Sequence, residues 1–335
     1  MATVAAAARA AQSAAAEAHN KPRGPGVRTA AVIGAGTIGL GWTALFASAG
    51  LTVRVNSRRA DAEAHVRRAF ELYAGSLPGG PADPEALFAR LEFEPDVARA
   101  VEGADVVQEN APENLALKQE LFATIGAAAP SHALLLSSTS TLLPDDLGAR
   151  MTDPGRLLVA HPFNPPHIVP LVEIVTGRRT GPRVVEEAMA FYRGLGKTPV
   201  VLRRAVPGFV ANRLQSALLR ESIHLVREGV VSVAELDEIV ISSIGGRWAA
   251  VGPFRAFHLG GGPGGLRHWF EHLGAGLEKS WEGLGNPPVD EETVATILSQ
   301  AEEAFGNRAY EELAAERDAK QTRVIGAVSG PKAEA

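Results

Sequence analysis

The sequence predicts an α/β fold in which a doubly wound, mostly parallel β-sheet is followed by a second, all-helical domain. Short apolar runs that alternate with longer amphipathic segments are typical of such a sheet. The runs that we interpret as strands occupy residues 29–33, 51–55, 104–108, 134–137, 157–160 and 171–175. Helices are predicted between them at 38–49, 60–74 and 114–129, and a Gly/Pro-rich loop at 75–84. After residue 204 only helical patterns follow, at 208–229, 233–244 and 288–320.

The glycine turn after the first strand is the strongest local motif, with the sequence Gly34-Ala35-Gly36-Thr37-Ile38-Gly39. In a GxGxxG turn the first glycine permits the tight bend. The second lets the backbone approach a pyrophosphate, and the third lets helix and strand pack closely. Free N–H groups at the start of the following helix then bind the phosphates. Because a strand precedes this turn and a helix follows it, we predict a Rossmann dinucleotide-binding unit. We expect Gly34, Gly36, Thr37, Ile38 and Gly39 to bind the cofactor.

The end of the second predicted strand bears on the choice between NAD and NADP. An acidic residue there binds the ribose 2′-hydroxyl of NAD. This chain has Asn56-Ser57-Arg58-Arg59 instead and no carboxylate before Asp61. Adjacent guanidinium groups bind a 2′-phosphate with charge-assisted hydrogen bonds. We therefore predict NAD(P) with a preference for NADP, with Asn56, Ser57 and Arg58 at the cofactor. The alternative is that the arginines are solvated and that Asn56 and Ser57 suffice for NAD.

The bulk composition excludes several classes of protein. Hydrophobic residues make up 46% and charged residues 21% of the chain, as in globular proteins. A formal net charge of −5 gives no basic field for nucleic acid or an anionic membrane surface. The absence of cysteine excludes a disulfide scaffold, a thiolate metal site and a cysteine nucleophile, and we expect no metal. No apolar stretch approaches the roughly 18 residues that span a bilayer, so we expect a soluble, cytoplasmic protein.

Two later predicted strands are associated with a histidine and a carboxylate. His161 comes just after the predicted strand 157–160, and Glu173 lies inside the otherwise apolar strand 171–175. A buried carboxylate requires a partner, and an imidazole held by a carboxylate is suited to remove the O–H proton of an alcohol. The hydroxyl-rich segment at 137–141 ends another strand, where α/β sheets place ligand-binding groups. These residues predict alcohol oxidation.

Five segments resemble the 3-hydroxyacyl-CoA dehydrogenase superfamily over nearly all of residues 28–320. They are GAGTIG (34–39), QENAPENLALKQELF (108–122), SSTSTL (137–142), HPFNPPHIVPLVEIV (161–175) and PGFVANRL (207–214). The resemblance implies that His161 is the general base and Glu173 its partner. It also implies that Ser140 and Asn212 hold the substrate oxygen. By the same resemblance, the positions that line the cofactor are Glu113, Lys118 and Asn164. The family's acidic ribose residue corresponds to Ser57, where this sequence departs from the pattern.

The helical domain resembles the L-carnitine dehydrogenase branch of this superfamily. The resemblance lies in GGRW (245–248), GPF (252–254) and FHLGGGPGGLRHWF (257–270). A trimethylammonium group is best held by aromatic faces, which Trp248, Phe254, Trp269 and Phe270 can supply. Arg267 or Arg247 can clamp a carboxylate. We therefore predict a small L-3-hydroxy acid substrate, with Trp248, Phe254 and Arg267 binding it.

Three alternatives remain open at this point: a 3-hydroxyacyl-CoA dehydrogenase, an L-gulonate 3-dehydrogenase, and a crystallin-like structural or binding protein. The predicted domains are a flexible extension at 1–26, a Rossmann domain at 27–204, a helical substrate and dimerisation domain at 205–327, and a frayed tail at 328–335. The family resemblance implies a homodimer.

Overall fold

A computed structural model describes residues 27–272 and 274–328 of the chain. The predicted N-terminal extension, 1–26, lies outside the described residues, as does most of the predicted tail. The chain divides into two compact units, the first ending at Phe209 and the second beginning at Val210. The sequence prediction placed the domain boundary slightly earlier, after residue 204.

The first unit is built on one eight-stranded sheet in the order β3-β2-β1-β4-β5-β6-β7-β8. All neighbouring strands run parallel except β6 and β7, which are antiparallel. This confirms the predicted doubly wound, mostly parallel sheet. The strands are β1 Thr29–Ile33, β2 Thr52–Asn56, β3 Leu91–Phe93, β4 Val106–Glu109, β5 Leu134–Ser137, β6 Leu157–Pro162, β7 Leu171–Thr176 and β8 Thr198–Val201.

Helices cover both faces of this sheet, so its central strands are buried on both sides. The helices of the first unit are α1 Thr37–Ser48, α2 Ala62–Tyr73, α3 Pro84–Phe88, α4 Val97–Val101, α5 Leu115–Ala128, α6 Pro144–Leu147 and α7 Pro182–Gly194. Alternate residues of β1 enter different cores. Val32 packs with Trp42 and Phe70 on one face, whereas Ala31 packs with Phe122 on the other.

Both edge strands, β3 and β8, are absent from the sequence prediction. β3 has three residues with the exposed Glu92 at its centre, and β8 has four, including Pro199. Such short runs carry no alternating pattern, and they become strands because β2 and β7 offer backbone partners. Helix α7, between β7 and β8, was also not predicted.

Strand β6 is longer than predicted and changes the position of His161. The prediction that the strand ends at residue 160 is wrong, because antiparallel pairing with β7 continues to Pro162. His161 therefore lies within the strand, paired directly with Glu173.

The second unit contains helices and no strand in its described residues. Its helices are α8 Ala211–Arg227, α9 Val233–Val240, α10 Gly246–Val251, α11 Pro253–Gly260, α12 Gly265–His272, α13 Leu277–Glu282, α14 Glu291–Phe305 and α15 Tyr310–Val328. A π-helical turn, Ile241–Gly245, joins α9 to α10. Helix α8 begins three residues later than predicted because Gly208 (φ 74°) and Phe209 (φ 50°) take left-handed conformations. Within the described ranges, no helix is both long and apolar enough to cross a bilayer.

Candidate active site

The glycine turn between β1 and α1 forms as predicted, and two of its glycines are sterically required. Gly34 has φ 99°, and its N–H donates to the Asn56 carbonyl at 3.0 Å. A Cβ on Gly34 would lie 2.8 Å from the Asn110 carbonyl oxygen, and one on Gly39 would lie 1.9 Å from the Gly34 carbonyl oxygen. The strand and the helix therefore approach each other closely only because both positions lack a side chain.

Gly36 differs from its neighbours because the space beside it is open. No atom lies within 4 Å of where its Cβ would be. It is the N-cap of the 12-residue helix α1, and no side chain caps this helix. Thr37 is exposed and Ile38 half-buried, and the first helical bond runs from Leu40 N to Gly36 O. Uncapped N–H groups beside an open surface fit a pyrophosphate.

The last residue of β2 and the residues that follow it differ in the hydrogen bonds that their side chains form. Asn56 is buried, and its amide donates to the Glu94 and Pro95 carbonyls, both at 2.9 Å. Ser57 Oγ accepts from Arg59 N at 3.2 Å. The Arg59 guanidinium forms a bidentate pair with Asp61 at 2.8 and 2.9 Å. Arg58 is exposed, and no described residue forms a hydrogen bond or ion pair with its guanidinium.

Glu113 organises the hydroxyl-rich loop after β5. Its Oε1 accepts the backbone N–H groups of Ser140 and Thr141, both at 3.1 Å, and the hydroxyls of Thr139 and Thr141. Burial alone would raise the pKa of Glu113. The hydrogen bonds from Thr139 and Thr141, with the charge of Lys118, lower that pKa below its ordinary value. Glu113 therefore stays ionised and holds the backbone at Ser140. Within the described chain the Ser140 hydroxyl has no hydrogen-bond partner.

Lys118 is buried beneath this loop in an ion pair. Its ammonium donates to Glu109 at 2.6 Å and to the Ala111 carbonyl at 2.8 Å. Glu109 also accepts from Ala111 N and from Ser137 Oγ, both at 2.6 Å. Both side chains are almost completely inaccessible to solvent. The ion pair thus joins the end of β4, helix α5 and the end of β5.

A second buried network surrounds Ser138. Its hydroxyl accepts from Trp42 Nε1 at 3.1 Å and Gln108 Nε2 at 2.9 Å, and donates to Asn110 Oδ1 at 2.7 Å. The Tyr192 phenol donates to Gln108 at 2.6 Å, and burial raises its pKa well above the ordinary value. The neutral phenol therefore fixes Gln108, and Gln108 fixes the loop that carries Ser140.

His161 and Glu173 form a close, buried pair. His161 Nδ1 lies 2.8 Å from Glu173 Oε2, and the two residues are 4% and 2% exposed. An ionised carboxylate can only accept, so Nδ1–H is the donor of this hydrogen bond. The rings of Phe163 and Phe209 lie 4.9 and 5.2 Å from the imidazole, centroid to centroid.

The sheet brings this pair to the edge that carries the hydroxyl-rich loop. β5 and β6 are parallel neighbours, with Ser137 opposite Val159. Their carboxyl ends therefore meet at one edge of the sheet, which is also the edge of the glycine turn. The exposed Asn164 lies on the connection that follows β6.

The remaining predicted site residues belong to the second unit. Asn212 is the second residue of α8. Trp248 (37% exposed) lies on α10, Phe254 (75%) on α11 and the exposed Arg267 on α12. No ring contact joins Trp248 to Phe254 in the described residues.

The aromatic cluster that does form in this unit combines other residues. Trp269 packs against Phe257 at 4.7 Å and against Phe270 at 5.1 Å between ring centroids. Two of these three rings, Trp269 and Phe270, belong to the predicted set of cation-binding aromatics.

The sequence analysis missed three groups in the candidate site of the first unit: Glu109, the Ser138 network and Lys197. A signal for Glu109 was available, because it is a carboxylate at the end of an apolar strand, as Glu173 is within one. Gln108 and Tyr192 are 84 residues apart, and no sequence pattern connects them.

Comparison with known families adds to this geometry. Residues 29–205 match the family described as 3-hydroxyacyl-CoA dehydrogenase, NAD binding domain. Residues 208–292 match the description 3-hydroxyacyl-CoA dehydrogenase, C-terminal domain.

Curated relatives and solved structures give similar matches. The chain is 41% identical over 307 residues to an L-carnitine dehydrogenase from Burkholderia mallei, covering 92% of this chain and 96% of that protein. It is 41% identical to an L-carnitine dehydrogenase from Streptomyces griseus, with 87% of each chain covered. A solved FHMPC 5-dehydrogenase, described as an NAD+-dependent dismutase, is 30% identical with a TM-score of 0.70, covering 91% of this chain and 100% of that one.

Proposed function

Because this chain belongs to the 3-hydroxyacyl-CoA dehydrogenase family, we propose that it oxidises a small L-3-hydroxy acid of the L-carnitine type to the 3-oxo acid. The chain is a nicotinamide-dependent dehydrogenase that acts on the CH–OH group of a hydroxy acid. The observation that carries the proposal is the buried His161–Glu173 pair at the sheet edge of the dinucleotide-binding turn.

The proposed chemistry assigns the proton to His161. When bound, the nicotinamide supplies the hydride acceptor. Glu173 accepts a hydrogen bond from Nδ1–H, and Nε2 takes the proton of the substrate hydroxyl. Glu173 also stabilises the imidazolium that forms. The Ser140 hydroxyl and the Asn212 amide hold the substrate oxygen as charge develops on it.

The cofactor is proposed to lie on the glycine turn and the start of α1. Gly34, Gly36 and Gly39 shape that surface, and the N–H groups of Thr37 and Ile38 bind the pyrophosphate. Ser57 and Arg58 meet the ribose, and we propose NADP as the preferred form because no carboxylate of β2 opposes a 2′-phosphate. Through their hydrogen bonds, Asn56, Glu113 and Lys118 fix the loops that would surround the cofactor.

The helical unit is proposed to select the substrate. Curated relatives over most of the chain are named L-carnitine dehydrogenases. A quaternary ammonium cannot donate hydrogen bonds and is well bound by aromatic faces. Trp248 and Phe254 are exposed aromatics in this unit, and the exposed Arg267 suits a carboxylate.

A 3-hydroxyacyl-CoA ester is the second candidate substrate, because the matching family description names it. Helix α2 carries one basic pair, Arg67 and Arg68, to meet CoA phosphates. Arg67 pairs with Glu85, and Arg68 lies 3.6 Å from Asp61. These carboxylates oppose phosphate binding, which favours a free acid.

One experiment tests both the substrate and the proton acceptor. L-carnitine, L-gulonate, 3-hydroxybutyrate and 3-hydroxybutyryl-CoA are assayed at alkaline pH with each coenzyme. We expect turnover of L-carnitine, and we expect His161→Gln to lower kcat about 10²–10⁴-fold. Glu173→Gln, which preserves the size of the side chain, should cause a smaller loss. Turnover of the CoA ester alone would contradict the free-acid proposal, and full activity of His161→Gln would contradict the assigned base.

We also propose that the protein is a homodimer that pairs through the helical unit. Three apolar side chains of α8 and its N-cap are exposed within one chain: Val210 is 47%, Leu214 63% and Leu218 37% accessible. Apolar surface of this kind marks an interaction site in a stable protein.

A further inference from the structure

Lys197 is a buried cation that the proposed chemistry does not use. It is 5% exposed and follows Gly196 (φ 78°), whose left-handed conformation ends helix α7. The Lys197 backbone N–H donates to the Tyr192 carbonyl at 3.0 Å, so the helix end fixes its position. In the described ranges no carboxylate lies within ion-pair distance of its ammonium. A lysine retained in such surroundings needs a reason beyond packing.

The ammonium of Lys197 holds the connection between His161 and Glu173. It donates to the Pro166 carbonyl and, at 2.8 Å, to the Val169 carbonyl. Both carbonyls lie on the β6–β7 connection, residues 163–170. The next residue, Thr198, donates its N–H to the Pro170 carbonyl at 2.8 Å. Three of the eight residues in this connection are thus fixed from one point of the chain.

The same ammonium faces helix α1. It lies 5.6 Å from the centroid of the Trp42 ring, at the distance of a cation–π contact. The indole of Trp42 in turn donates to Ser138, in the loop that carries Ser140. The environment is so apolar that burial lowers the pKa of Lys197 from 10.5 to about 7. In either protonation state the nitrogen has at least two N–H groups for the two carbonyls.

We propose that Lys197 is a positioning residue for dehydrogenation, which holds the β6–β7 connection so that His161 keeps its alignment with the loop of Ser140. Lys197 touches neither the proposed base nor its carboxylate, and acts through the two carbonyls and Trp42. The proposal rests on the proposed role of His161.

The test compares Lys197→Met with wild type. Methionine preserves a long unbranched side chain and removes every donor. We expect kcat to fall about tenfold, less than the roughly 10²-fold loss that a misplacement of about 1 Å can cause, while KM for the hydroxy acid and Kd for the coenzyme change less than threefold. The amides of Ile168 and Val169, which donate to the Pro165 carbonyl, should exchange with solvent deuterium at least about tenfold faster.

A matched control separates positioning from general loss of stability. Ile125→Ala removes a fully buried side chain of α5 that lies outside the connection. Both variants are compared at equal intervals below their own Tm. An equal loss of kcat in Ile125→Ala, or unchanged exchange at Ile168 and Val169 in Lys197→Met, would overturn the proposal. If Lys197→Met does not fold, Lys197→Gln, which retains an NH₂ donor, is measured in the same way, and faster exchange is again expected.

The exchange measurement distinguishes failure of this proposal from failure of the proposed function. It requires no turnover, so Lys197 is tested even if wild type oxidises none of the hydroxy acids. His161→Gln should lower kcat about 10²–10⁴-fold and leave the exchange at Ile168 and Val169 unchanged. If His161→Gln keeps full activity but Lys197→Met loses it, the assignment of the base is wrong and the connection serves another group.

Discussion

At the residue scale, the two arginines after β2 differ in what already binds them. The guanidinium of Arg59 donates two hydrogen bonds to Asp61, and these lower the pKa of the Asp61 carboxyl. Arg58 is exposed and unengaged by the described residues. A 2′-phosphate can therefore bind Arg58 directly, whereas it must compete with Asp61 for Arg59.

Coenzyme binding follows from this difference. Arg58→Ala should raise the Kd of NADPH about 10-fold or more, because one charge-assisted hydrogen bond is lost, and leave that of NADH nearly unchanged. Arg59→Ala is the matched control and should have the smaller effect. Fluorescence titrations at fixed ionic strength measure both constants, with Ser57→Asp expected to favour NADH. Tighter binding of NADH than NADPH by wild type would refute the NADP preference.

At the element scale, the strand–turn–helix unit combines two different demands on glycine. Gly39 permits helix α1 to pack against the turn, since a Cβ there would overlap the Gly34 carbonyl. Gly36 has φ −81°, which any residue adopts, and open space beside it. Gly39 therefore serves folding, and we propose that Gly36 serves the ligand.

Alanine at each position should separate the two demands. Gly39→Ala should lower the free energy of unfolding by about 3 kcal/mol or more, because backbone atoms must move. Gly36→Ala should change it by less than about 0.5 kcal/mol but weaken coenzyme binding about 10-fold or more, because the methyl group occupies the space of the pyrophosphate. Chemical denaturation and coenzyme titration measure these effects. A destabilised Gly36→Ala with normal affinity would reverse the assignment.

At the scale of the whole molecule, the two units bury their side chains unequally. Each face of the sheet in the first unit has a closed core. The second unit exposes large apolar side chains, among them Leu214 (63%), Ile241 (71%) and Phe254 (75%). Exposure of several large apolar side chains is costly unless a partner covers them.

We therefore expect twice the 35.1 kDa chain mass in solution. Leu214→Asp places a charge on the exposed face of α8 and should shift the protein towards the monomer, since an unpaired charge is costly to bury at an interface. Leu115→Asp, at a 38% exposed apolar position of the first unit, is the control and should leave the mass unchanged. Sedimentation equilibrium measures the mass of both variants. A monomeric wild type at micromolar concentration would contradict the proposed dimer.

Much of the first unit follows from local sequence. The glycine turn is a matter of backbone geometry within six residues, and the central strands are apolar runs that can only be buried. The pairing of His161 with Glu173 was also predictable, because a carboxylate inside an apolar strand needs a partner and the histidine lies twelve residues before it. Edge strands β3 and β8 were not predicted, because they form through pairing with β2 and β7 and not through a pattern in their own residues.

The sequence by itself determined the sheet, the dinucleotide turn and the chemical type of the His161–Glu173 pair, because each depends on near neighbours or on periodic burial. Only the tertiary structure decided that β6 and β7 run antiparallel, so that His161 lies within a strand opposite Glu173. It also decided that Glu109 neutralises Lys118 and that Lys197 binds carbonyls 28 and 31 residues away. These contacts join residues that are remote in the chain and adjacent in space, and their energies come from burial, which no local pattern encodes.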